Sequence, residues 1–121
     1  MDDPRTNETC QDNETDVDRV RSAQQRVLDD AAAQRLADTF KALSDPTRVR
    51  IISALLHHEL CVYELADAVG ASHSAVSHQL RTLRQMRLVR PRKQGRHVFY
   101  ALDDDHIYDL FRQALDHVSH D

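Results

Sequence analysis

Glycine is almost missing from this chain: Gly70 and Gly95 are the only two among 121 residues. That excludes the Gly-rich loops that cradle phosphate groups on backbone N–H donors. Cysteine is just as sparse. Cys10 and Cys61 are too few for a disulfide scaffold, so a reducing, cytoplasmic setting is expected. No run approaches the ~18 apolar residues of a membrane span, and no membrane partner is expected. No charged leader followed by an apolar core opens the sequence, so secretion by that route is not expected either. A length of 121 residues allows one small domain. The formal charge of −4, taken alone, argues against nucleic-acid binding.

Carboxylates are also missing, but only from one place. Residues 71–100 carry seven basic side chains (Arg81, Arg84, Arg87, Arg90, Arg92, Lys93, Arg96) and no acid. The flanks are acidic: residues 1–30 sum to −5, residues 31–70 to −1 and residues 101–121 to −5. A +7 window inside an acidic chain is the electrostatic footprint of a polyanion partner. A solvated helix face followed by a basic turn has the same composition, so charge alone does not decide.

Residues 1–16 are polar with almost no apolar side chains and read as a disordered tail ahead of one domain over 17–121. A weak helical pattern runs from about Val17 to Leu28. Leu36, Phe40 and Leu43 then recur at helical spacing, predicting a helix from about Ala31 to Leu43. In Ser44-Asp45-Pro46, Asp45 can cap the next helix and Pro46 suits its first turn. Val49, Ile52, Leu55 and Leu56 form that helix's apolar stripe. A short helix follows, about Leu60 to Val69, ended by Gly70. Ser72 caps another, about His73 to Arg87, with Val76, Leu80 and Leu83 inward. Two helices joined by a three-residue turn containing Gly form a helix-turn-helix. Leu88–Arg92 and His97–Leu102 read as strands joined by Lys93-Gln94-Gly95-Arg96, with Pro91 confining the first to an edge. The expected fold is mainly α with a small β-hairpin wing, a winged helix-turn-helix, closed by a helix from about Asp105 to Val118.

A recognition helix presents its N-terminal residues to base edges in the major groove. Here they are Ser72, His73, Ser74, Ser77, His78 and Gln79, which can donate and accept hydrogen bonds; Gln favours adenine. In Ser-Ala-Val-Ser-His-Gln-Leu (74–80), Ala75, Val76 and Leu80 are expected to pack inward. Arg81, Arg84, Arg92, Lys93 and Arg96 would mostly meet phosphates, which position the protein and make binding salt-dependent.

The last helix clusters histidines. At 100° per residue, His106, His117 and His120 fall within about 60° of arc, beside an apolar stripe that needs a partner. His106 and His117 are about 16 Å apart along the axis and cannot share one metal within a helix. Two copies packed antiparallel about a two-fold axis would bring Asp104 and His106 of one to His117 and His120 of the other. One carboxylate and three imidazoles make a closed tetrahedral zinc site. Each residue also has a plainer reading: Asp104 as an N-cap, His117 and His120 as complements to the helix dipole. Cys61 with Glu64 one turn on, Cys10 folding back from the tail, and His57 or His58 nearby make a second metal site conceivable. Equally, Cys61 can be a small core residue and Cys10 incidental. No His-Glu-x-x-His or paired Cys-x-x-Cys is present, and four protein ligands leave no position for water, so no enzyme is expected.

Ser-Asp-Pro-Thr-Arg (44–48), Glu-Leu-Cys-Val (59–62), Ser-Ala-Val-Ser-His-Gln-Leu-Arg (74–81), Arg-Lys-Gln-Gly-Arg-His-Val (92–98) and Ala-Leu-Asp-His (114–117) resemble the ArsR/SmtB family of winged-helix metal sensors, nearest its zinc-responsive repressors. The resemblance covers about residues 30–120. It implies a homodimer that represses metal efflux or sequestration genes and leaves its operator when metal binds. The family's C-terminal-helix pattern, Asp-x-His, ten residues, His-x-x-Glu/His, falls on Asp104, His106, His117 and His120. His in the last position occurs in zinc, cobalt and nickel sensors of the family. The nickel sensors recruit extra ligands; few remain here before Asp121, so four-coordinate Zn2+ is expected, with a Co2+- or Ni2+-responsive repressor as the alternative. The family's thiolate site usually has Cys-x-Cys. Tyr63 replaces the second Cys here, which weakens the case for soft metals such as Cd2+. The resemblance also implies a coupling bond from metal-bound His117 to a backbone carbonyl around Arg87. Two rival expectations are a metal-independent winged-helix regulator and one sensing redox through Cys10 and Cys61.

Overall fold

A computed structural model describes residues 16–119. The chain divides after Arg35, where the sequence points to one body over 17–121. The first unit holds α1 (Val17–Gln24) and the opening of α2 (Asp30–Ala42). Of the expected tail only Asp16 is described; its Oδ1 accepts from the N–H groups of Asp18 and Arg19 and caps α1. No residue of α1 is buried, and it stops at Gln24 rather than near Leu28. A helix with no packed face lacks the main source of helical stability. Asp29 caps α2 through the Ala32 N–H.

The second unit carries α3 (Pro46–Ala54), β1 (Leu60–Cys61), α4 (Val62–Val69), α5 (His73–Gln85), β2 (Val89–Gln94), β3 (His97–Leu102) and α6 (Asp105–Ser119). Asp45 Oδ2 accepts from the Arg48 N–H at 3.0 Å, and Pro46 lies in the first turn, where its missing N–H has no role. Gly70 closes α4 in the left-handed conformation, φ 69°, and its N–H donates to the Ala66 carbonyl. Three residues then separate α4 from α5. Ile51, Ile52, Leu65, Val76, Leu80, Leu83 and Leu88, each at most 1% exposed, form the core where α3, α4, α5 and the sheet meet.

Four expectations are corrected. Leu60 and Cys61 do not open α4. They pair with Tyr100 and Phe99 of β3, making a three-stranded sheet ordered β1-β3-β2. Cys61 is the N-cap, and its N–H donates to Glu64 Oε1, so the helix starts at Val62. The wing turn is two residues, Gly95-Arg96, because Gln94 pairs with His97. Only Gly95 has positive φ there, the sign pattern of a type II′ turn. Helix α5 ends at Gln85, not Arg87. Arg87 takes φ 59°, its N–H donates to the Arg84 carbonyl, and the Leu88 N–H donates to that of Leu83. This is a Schellman closure with arginine where glycine is usual. Finally, Ala75 is exposed; only Val76, Leu80 and Leu83 face inward from α5. Pro91 does lie in an edge strand, β2.

Candidate functional site

The outward face of α5 carries the residues expected to read DNA. Ser74, His78 and Arg81 are exposed. Ser72 is engaged as the helix cap, its Oγ accepting from the Ala75 N–H at 3.1 Å. The His73 ring lies 4.3 Å, centroid to centroid, from that of Tyr63 on α4. Ser77 and Gln79 lie on opposite flanks and are half-buried. On one flank Ser77, Leu80, Arg81 and Arg84 face Tyr100 of β3 across an open notch of about 230 Å³. Two guanidinium groups and two hydroxyls around such a notch match the chemistry of a phosphate. On the other flank Gln79 Oε1 accepts from Arg48 Nε at 2.8 Å. Bidentate reading of adenine requires that oxygen as an acceptor, and here it is already engaged. Arg48 also donates from Nη1 to the Ala42 carbonyl at 3.3 Å.

On the wing, Lys93 and Arg96 are exposed. Arg92 is held on the sheet: Nε donates to Glu59 Oε1, Nη1 to Gln94 Oε1 at 3.0 Å, and the guanidinium lies 5.3 Å from the Phe99 ring centroid. A phosphate contact by Arg92 therefore competes with Glu59. Spacing along the chain shows neither this pair nor the Arg48–Gln79 bond. The partners stand 33 and 31 residues apart and meet only through the tertiary fold.

Two metal-ligand candidates converge at the start of α6. Asp104 Oδ1 accepts from the Ile107 N–H at 3.1 Å, while Oδ2 lies 3.5 Å from His106 Nδ1. The Ile107 N–H, and then the His106 ring, hold the Asp104 carboxyl below the usual carboxylate range against the opposing effect of desolvation. Asp104 is thus anionic at neutral pH, as a metal ligand must be. His117 is exposed in the last turn of α6, eleven residues on, and among the described residues its imidazole is not bonded to Arg87. His120 lies outside the described residues. Among the described residues, no three His, Cys, Asp or Glu side chains of one chain come together as a metal site.

For the second candidate site, Cys61 is a half-buried free thiol, Glu64 is engaged at the α4 cap, and Cys10 lies outside the described residues. His57 meets Tyr108 of α6 edge-on, with ring centroids 6.1 Å apart. Along the apolar side of α6 runs an open groove of about 320 Å³. Leu110, Phe111, Ala114, Leu115 and Val118 line it with Phe40 and Leu43 at the end of α2 and Val49 of α3.

Residues 45–90 match the family model described as bacterial regulatory protein, arsR family. A transcriptional repressor SmtB homolog of Synechocystis is 49% identical over 102 residues, covering 84% of this chain and 77% of that one. The chain belongs to the ArsR/SmtB family of metal-sensing repressors. It is a DNA-binding transcriptional regulator, not an enzyme. The family's regulator NmtR of Mycobacterium tuberculosis is 43% identical, over 77% of this chain and 78% of its own. A solution structure of apo-NmtR superposes with a TM-score of 0.68 over 78% of this chain and 79% of its own, at 42% identity. A winged helix-turn-helix DNA-binding domain from Mycobacterium bovis, described as homodimeric, superposes with a TM-score of 0.71 at 25% identity, over 77% of this chain and 89% of its own. Among the described residues no helix is long and apolar enough to cross a membrane.

Proposed function

We propose that this repressor binds operator DNA as a homodimer and releases it on binding Zn2+, controlling genes for metal efflux or sequestration. One observation carries the reading: Asp104 and His106 meet at one end of α6, His117 stands at the other, and among the described residues the apolar groove beside them is left open. A second copy packed antiparallel along α6 covers that groove and completes the ligand set with its own His117 and His120. The homodimeric description of the Mycobacterium bovis relative supports a homodimer. The donor set, one carboxylate and imidazoles, suits zinc; nickel and cobalt accept similar donors, and selectivity also depends on metal availability. A bound ion would tie the first turn of one α6 to the last turn of the other, favouring one arrangement of the two DNA-reading heads. The protein's own contribution is to present an ionised Asp104, its Oδ1 held by the Ile107 N–H, at that junction. A coupling bond from His117 to the carbonyl of Arg87 in the dimer remains part of this proposal.

On the DNA side, Ser74, Ser77 and His78 face base edges, while Arg81, Arg84, Lys93 and Arg96 hold phosphates. The Cys61–Glu64 corner is not needed for the response. Operator anisotropy at fixed salt, titrated with zinc, nickel, cobalt and cadmium, tests the proposal. Release by zinc at about one equivalent per subunit supports it. Binding indifferent to all four metals overturns it in favour of a metal-independent regulator, and release by peroxide alone favours redox sensing through Cys10 and Cys61.

A further inference from the structure

Arg48 lies between two surfaces that the proposed function requires to communicate. Its neighbour Val49 lines the apolar groove, as does Leu43, adjacent to the Ala42 carbonyl that Arg48 holds. Its Nε reaches the opposite way, to Gln79 in the middle of the recognition helix. The guanidinium is half-buried, and its rigid fork addresses two elements at once. A cation at the C-terminal end of α2 is also favoured by that helix's dipole. We infer that Arg48 is a positioning residue: it sets the angle of α5 against the end of α2 through Gln79, and so transmits a change at the subunit interface to the DNA-reading face.

The inference rests on the reading of a metal-released dimer. It reassigns Gln79 from base reader to strut. Oε1 already accepts from Arg48 Nε, which fixes the amide at a half-buried position, whereas Ser74 and His78 are exposed. Losing the strut should weaken all operator sequences alike, whereas losing a base reader changes preference at one base pair.

Operator affinity is measured for Arg48→Met, Gln79→Leu and the double variant, against the consensus half-site and each single-base change. Thermal melting and sedimentation first establish that each variant is folded and dimeric. A variant that fails this check is replaced by Arg48→Lys or Gln79→Met. The expected result is about a tenfold loss of affinity for either single variant, the scale of one charge-assisted hydrogen bond, and no further loss in the double. Base preference should be unchanged. Gln79→Glu, which keeps an acceptor for Arg48, should retain more of the zinc-driven change in affinity than Gln79→Leu. In the single variants that change should shrink at least threefold, while zinc affinity, read by a competing chelator, holds. Additive losses, a shift in preference at one base pair, or an undiminished zinc effect would each overturn the inference. Failure of the metal reading is seen separately, in wild-type protein that zinc does not release.

Discussion

The helix-turn-helix and the last helix follow the same sequence logic and end in opposite states. In α5, Val76, Leu80 and Leu83 recur at helical spacing, and all three are at most 1% exposed. In α6, Leu110, Phe111, Ala114, Leu115 and Val118 recur as regularly, yet no residue of the helix is buried; Leu115 is 39% exposed and Val118 68%. One stripe finds its partner within the chain. The other borders an open groove. Periodicity reports that a face will be buried, and not against what.

The contrast can be broken most severely on the α5 side. Leu83→Ala should cost about 2–5 kcal/mol, because a fully buried leucine leaves a cavity its neighbours fill only in part. Urea unfolding of the full chain measures it. A substitution on α6 should behave differently. Leu115→Asp should leave the helix-turn-helix folded by circular dichroism while halving the mass in sedimentation and abolishing operator binding at nanomolar concentration. If Leu115→Asp instead unfolds the chain, α6 belongs to the monomer core and the contrast fails.

Smaller changes sharpen the same comparison. Arg84→Ala, at the notch beside Tyr100, should weaken all operator sequences uniformly and lower the slope of log K against log salt by about 1. An unchanged slope would remove Arg84 from the phosphate contacts. Arg87→Gly should be the mildest. Relief of a left-handed arginine offsets the entropy cost of glycine, for a gain of about 0.5–1 kcal/mol, read as a raised urea midpoint at constant slope.

Much of this was legible in the residues. Asp45-Pro46 marked the start of α3, Gly70 the end of α4, Ser72 the cap of α5 and Gly95 the wing turn, because each is a local backbone requirement that the neighbours do not alter. The strand at Leu60-Cys61 was not legible: two residues carry no periodicity, and their pairing with β3 is a long-range event. The roles of Arg48, Gln79 and Arg92 were hidden for the same reason, since their hydrogen-bond partners come from distant segments. At the candidate metal site, spacing identified Asp104 and His106, which the fold does bring within 3.5 Å. It also indicated that His117 lies too far along α6 to join them within one chain. In the proposed dimer a second copy supplies what is missing, and the described chain alone does not bring three such ligands together.

The release mechanism stands most directly on operator anisotropy of His117→Asn beside wild type, titrated with zinc at fixed salt. Operator affinity without metal should be equal for the two proteins. Zinc should weaken wild-type binding by well over tenfold, which requires more than about 1.4 kcal/mol of coupling, and should leave the variant bound. Release of His117→Asn at the same zinc concentration as wild type would contradict a switch built on the two ends of α6.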